Sequence, residues 1–126
     1  MNTRYKVIIS LGLAALLAAG CNQTSQQPPP PAATPGQNVV IYTDSGFSPG
    51  TLTIKQGQTV TFENQSSSGM SVASNPHPTH TDYPEFDQYK SSQRGQQTYT
   101  FTFEKVGRWG FHNHLNPSSG GTIIVQ

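Results

Sequence analysis

Residues 38–126 predict an all-β domain, an antiparallel β-sandwich of about seven short strands. Three observations predict it. Apolar residues alternate with Thr, Gln, Glu and Ser in short runs, glycines punctuate those runs, and no stretch after residue 36 sustains a helical period. In chain order the runs are Val39-Val40-Ile41-Tyr42, Leu52-Thr53-Ile54, Val60-Thr61-Phe62, Tyr99-Thr100-Phe101-Thr102-Phe103 and Ile123-Ile124-Val125. Each is rich in β-branched or aromatic residues, which suit a pleated surface buried on one face. Gly46, Gly50, Gly57, Gly69, Gly95, Gly107 and Gly120-Gly121 lie between or beside them, at the spacing expected of strand-turn-strand units. At about 90 residues the segment can support a single modest core. At most one short helical turn is expected.

The residues before 38 read differently. Arg4 and Lys6 precede an apolar stretch over 7–19 broken only by Ser10 and Gly12, and Ala18-Ala19-Gly20 place small residues directly before Cys21. This is the three-part pattern of an exported signal segment, 1–20, and the apolar run is shorter than the ~20 residues a spanning helix needs. Leu17-Ala18-Ala19-Gly20-Cys21 resembles the lipobox of bacterial lipoproteins, which implies lipidation of Cys21 and attachment to a membrane of the cell envelope, outside the cytoplasm. Residues 21–37 continue as a polar linker with Pro28 to Pro31 consecutive and Pro35-Gly36 near its end. Such a segment cannot build a core and favours extended polyproline II geometry, a semi-rigid spacer between anchor and domain.

Composition excludes several function classes. Seven basic and six acidic side chains give a net charge of +1, which supplies no electrostatic footprint for nucleic acid. One cysteine rules out an internal disulfide and a Cys-rich zinc module, so any metal must be held by His, Met, carboxylate or amide groups. Gly46-Phe47-Ser48-Pro49-Gly50 has the Gly-x-Ser-x-Gly spacing but no helical pattern follows it to make a nucleophile elbow, His-Glu-x-x-His and a Gly-rich phosphate loop are absent, and an enzymatic role is not expected.

Phe47-Ser48-Pro49-Gly50-Thr51-Leu52-Thr53-Ile54, followed by Gly57, Val60, Phe62 and Asn64, resembles the first framework motif of cupredoxins. Gly107-Arg108-Trp109-Gly110-Phe111-His112 and Gly121-Thr122-Ile123-Ile124-Val125 resemble that family's last two strands. The resemblance implies a Greek-key, plastocyanin- or azurin-type sandwich and a copper cofactor. It also implies ligand positions, and here this chain departs from the pattern. The family's His, Cys, His and Met places hold Met70, Asn113, Asn116 and Ser119. Without the thiolate there is no basis for a blue copper site.

All four histidines fall instead in two tight pairs, His77-Pro78-Thr79-His80 and His112-Asn113-His114. Residues two apart on a strand project from one face, so His112 and His114 can present imidazoles side by side. Pro76 and Pro78 stiffen the other pair's loop. If Trp109, Phe111 and Asn113 point into the sandwich, His112 and His114 point outward, with the 74–94 insertion folded over them. Imidazole suits copper and zinc, and Met70 would add a soft thioether favouring Cu(I). Asp82, Glu85 and Asp87 follow His80 closely, and a carboxylate there would serve as a further ligand or orient a ligating imidazole. Asn113 is an alternative weak donor or a turn residue. Tyr83, Phe86 and Tyr89 are expected to anchor the insertion.

The sequence thus predicts an envelope-anchored metal-binding protein for copper handling or electron transfer, with His77, His80, His112 and His114 holding Cu(I) or Cu(II) at a non-blue site, or zinc. A module that kept the fold and binds no metal is the alternative.

Overall fold

A computed structural model describes residues 38–126. The signal segment, Cys21 and the linker to residue 37 lie outside the described residues. No helix among the described residues is long and apolar enough to cross a membrane.

Eight strands form two four-stranded sheets. They are β1 (Val39–Thr43), β2 (Gly46–Ser48), β3 (Thr51–Ile54), β4 (Thr59–Asn64), β5 (Val72–Ser74), β6 (Thr98–Thr102), β7 (Gly107–Asn113) and β8 (Asn116–Val125). One sheet runs β2-β1-β4-β6 and the other β3-β8-β7-β5. One 3-10 turn, Gln88–Lys90, interrupts the insertion between β5 and β6. The all-β sandwich is as expected. Pairing is antiparallel except at β1 with β4 and β3 with β8, which run parallel because the chain crosses between sheets before each partner is added.

The alternation read in the sequence becomes the core. Val40 and Tyr42 of β1, Val60 and Phe62 of β4, Tyr99 of β6, and Ile123 and Val125 of β8 are buried between the sheets. Phe111 joins them from β7, with Trp109 partly buried against the cluster. A Cβ on Gly121 would come within 2.6 Å of the Gly50 carbonyl oxygen and 2.7 Å of the Phe111 ring, so only glycine lets β8 pass this close to its neighbours.

Strand β5 is buried along its whole length, at Val72, Ala73 and Ser74. A strand buried on both faces needs cover on each. The sandwich supplies one cover and the insertion supplies the other. Tyr83 and Phe86 seat it: the Tyr83 ring lies 4.9 Å from Trp109, and Phe86 lies 4.9 Å from Phe103 and 5.0 Å from Phe101. Tyr89, expected to help, stays 45% exposed, its face covered by the Arg94 guanidinium 3.7 Å from the ring centroid. Buried Gln88 stitches the segment instead: its side chain accepts from the Val72 N–H and donates to the Gln93 and Gln96 carbonyls.

Candidate metal centre

The site is built where the end of β7 meets the insertion. Asn113, the last residue of β7, is fully buried and has no donor atom to spare. Its Oδ1 accepts from the N–H groups of Ser71 and Leu115 at 2.9 and 3.1 Å, and its Nδ2 donates to the Gly69 carbonyl at 3.0 Å. These bonds fix the tight turn into β8. Asn113 is therefore a structural pin, as its turn preference allowed, and its amide is committed to backbone. The pinned turn sends His112 and His114 to the opposite side, under the insertion, and the His114 N–H is held by the Ser71 carbonyl at 2.7 Å.

The second pair arrives from that insertion. The His80 N–H bonds to the Pro76 carbonyl at 2.8 Å, closing one turn that swings His80 back towards His77. His80 has φ 54°, in the left-handed region that non-glycine residues seldom adopt, although His does so more readily than β-branched residues. The His80 and Tyr83 carbonyls converge on the Ser74 hydroxyl at 3.1 and 3.0 Å.

All four imidazoles then converge. Ring centroids are 5.3 Å apart for His77 and His112, 5.0 Å for His77 and His114, 5.2 Å for His80 and His112, and 5.0 Å for His80 and His114. His77 and His80, separated by one turn, are 6.2 Å apart. One nitrogen from each of His77, His112 and His114 lies within 4.8 Å of the others, close enough to share an ion. His77 is exposed, His114 half-buried and His112 buried, so the cluster opens to solvent on the His77 side.

The predicted auxiliary groups sort themselves by what they touch. Glu85 is spent on an exposed ion pair with Lys105 at 3.0 Å, and Asp82 is exposed. Asp87 is the carboxylate that reaches the cluster, with Oδ2 2.7 Å from the His80 Nδ1 and 3.1 Å from the Lys90 Nζ. A ladder contact between Ala73 and Asp87 puts it there. Met70 is 4% exposed and packs in the hydrophobic core. Asn75, which the sequence did not single out, accepts from the His112 Nδ1 at 2.9 Å. No local pattern marks it, because the contact joins residues 37 apart in sequence.

Electrostatics favour neutral imidazole. Burial pushes His112 down to about 4, helped by the charges that His80, His77 and His114 would carry. Burial, then His80 and His77, lowers His114 as well. Burial works against ionised Asp87, but hydrogen bonds from His80 and Lys90 outweigh it and hold the carboxyl below its usual range. Neutral imidazole is the form that binds metal. For His112 the folded value lies below the ordinary unfolded value of about 6.5. Between the two the unfolded chain holds a proton that the folded chain lacks, so stability falls as pH drops from about 6.5 to about 4, and is flat for this group below that. Thermal melts of the metal-free protein are expected to show a larger loss between pH 7 and 4.5 than melts of His112→Gln.

One atom remains unexplained by protein contacts. The His112 Nε2 is buried without a hydrogen-bond partner, the one such side-chain atom among the described residues. An unsatisfied buried polar atom costs about 1–3 kcal/mol, so its retention calls for a reason. The His112 ring lies among the other imidazoles, and coordination to an ion would satisfy this nitrogen. The donor set fits copper or zinc.

A family model described as a cupredoxin-like domain matches residues 8–125. Similar solved structures include a purple cupredoxin from Nitrosopumilus maritimus, at 19% identity and TM-score 0.58, covering 71% of this chain and 100% of that one. A reduced Cu(I) form of an amicyanin variant at pH 4 matches at 24% identity and TM-score 0.58, covering 74% of this chain and 85% of that one. An oxidised amicyanin variant matches at 22% and 0.59 over the same shares. No curated protein matches the chain. Likeness at these identities carries the fold, and the family-model match over nearly the whole chain carries membership: this protein belongs to the cupredoxin-like domain family, with a histidine cluster on the outer face of its β7 sheet.

Proposed function

We propose that this protein binds copper at the histidine cluster and handles it at the envelope, tethered to a membrane through acylated Cys21. The observation that carries the reading is the partnerless, buried Nε2 of His112 on a ring clustered with those of His77, His80 and His114. Copper-bearing relatives of the same fold support the choice of metal, since one of the similar structures is a Cu(I) form. An all-imidazole set lacks the thiolate of a blue centre, so binding and delivery are a better match than fast electron transfer. Exposed His77 gives the ion a way in and out. Bound there, copper would supply a cation that imidazole nitrogens satisfy in either oxidation state. The buried thioether of Met70 is not required by this reading.

The test is titration of the full-length chain with Cu(II), Cu(I) under reducing conditions, and Zn(II). Stoichiometric copper binding is expected, with a nitrogen-rich, non-blue paramagnetic resonance spectrum. A ligand at a hundred times its Kd stabilises the native state by about 2.7 kcal/mol, which for a domain of this size raises Tm by on the order of 10–20 °C. A Tm unmoved by every metal would leave the metal-free interaction module. Tighter binding of zinc under competition would reassign the cofactor. Cys21→Ser is expected to release the protein from the membrane fraction.

A further inference from the structure

The four imidazoles are not equivalent in what already holds them. We propose that three of them, His77, His112 and His114, bind the ion, and that His80 is a positioning residue which fixes the proton on His114; this rests on the copper-binding reading above. The assignment follows from donors and acceptors taken one at a time.

Asp87 Oδ2 lies 2.7 Å from His80 Nδ1, with Lys90 Nζ 3.1 Å away on the same oxygen. An ionised carboxylate can only accept, so the proton of this bond sits on His80 Nδ1. In the neutral form, the one that metal-binding imidazoles around it require, the His80 ring carries its lone pair on Nε2. That atom is 3.2 Å from the Nδ1 of His114. Two ring nitrogens at this distance bond only when one of them brings a hydrogen, and His80 Nε2 has none to give. The His114 Nδ1 therefore donates, and the lone pair of His114 stands on its Nε2.

The same logic runs through His112 from a different neighbour. Asn75 Oδ1, 2.9 Å from His112 Nδ1, is an acceptor, so the proton stays on Nδ1 and the lone pair on Nε2. Asn75 is itself held: its N–H bonds to the Gly110 carbonyl at 3.0 Å, and its amide lies where a side chain on residue 110 would be, 2.5 Å from the position of a Cβ. Glycine at 110 is what admits the amide. Two independent partners thus prepare the same nitrogen, Nε2, on the two histidines of the β7 turn.

His80, by contrast, has both nitrogens occupied within the protein. It is also the member left out when ligand atoms within 4.8 Å of one another are gathered, a set made of His77, His112 and His114. Its left-handed backbone, φ 54°, and its burial at 3% exposure fit a fixed strut between Asp87 and His114. The chain Asp87, His80, His114 is a relay of fixed tautomers ending on the ion, and outer partners of this kind orient metal-bound imidazoles and raise their basicity.

Two measurements on the full-length chain test the assignment. The first uses metal-free protein: long-range nitrogen-15 correlations of the histidine rings are expected to show His80, His112 and His114 all protonated on Nδ1. A His114 ring protonated on Nε2 overturns the relay. The second counts coordinated imidazoles by pulsed paramagnetic resonance with Cu(II). Three are expected in the wild type, and three again in His80→Gln, whose amide oxygen can still accept from His114. Affinity in His80→Gln should fall by no more than the 10–100-fold typical of a partner behind the ligands, and His80→Ala should fall further. Four coordinated imidazoles in the wild type, dropping to three in His80→Gln, would make His80 a ligand and sink the proposal. Failure of the wild type to bind copper at all would remove the copper reading instead, and would be seen separately from the tautomers.

Discussion

His112→Ala is expected to lower copper affinity by more than about a hundredfold, beyond what loss of a supporting partner produces. His112 is the buried one of the three proposed ligands, 3% exposed, and its free Nε2 is the donor with no alternative partner in the protein. Removing it leaves His77 and His114, and one of those is already exposed to water. The metal-free protein should tolerate the change, because two effects oppose each other. Truncation opens a small cavity, while the desolvation penalty of an unsatisfied nitrogen, about 1–3 kcal/mol, disappears. Isothermal titration with copper and thermal melting without it, run on the same variant, check both halves. Unchanged affinity would remove His112 from the site.

Phe86→Ala is expected to do the reverse, striking stability first and the site as a consequence. The Phe86 ring is fully buried among Phe62, Tyr99, Phe101, Phe103 and Phe111, with centroids 4.9 to 6.2 Å away. Truncating a buried Phe costs about 3–5 kcal/mol, a large share of the 5–15 kcal/mol that holds a domain together. At 4–8 °C per kcal/mol for a domain this size, Tm should drop by on the order of 20 °C. The Phe86 carbonyl also accepts the Ser74 N–H at 2.8 Å, and Asp87 follows directly. Loosening the ring therefore frees the carboxylate behind His80, and copper affinity should fall with it. Differential scanning calorimetry and a copper titration distinguish this from His112→Ala, which should leave Tm largely intact.

How far these features were legible in the sequence depends on the range of the interactions that make them. Strands with regular alternation, such as Thr59–Asn64 and Thr98–Thr102, follow from local pattern and appear where that pattern puts them. Val72–Ser74 could not be seen this way: with both faces buried it shows no alternation, and its second cover comes from residues well downstream. The histidine cluster was visible because both pairs are local. Its supports were not. Glu85, Asp82 and Asp87 look alike in sequence, and only the bridge between Ala73 and Asp87 decides that Asp87 meets His80 while Glu85 turns to Lys105. Tyr89 resembles its aromatic neighbours yet stays outside, because the 3-10 turn carries Gln88 inward in its place.

The two histidine pairs sit on distant parts of the chain, one within the insertion and one at the turn after β7. An ion bound by both would tie the segment from His77 to His112 into a closed ring. In the chain-entropy picture, a permanent cross-link around a loop of this length is worth on the order of 3–4 kcal/mol. A chain whose only cysteine lies at position 21 has no covalent means of making such a link within its sandwich. Copper would then be cargo and fastener together, and handing it on would loosen the very flap that had enclosed it.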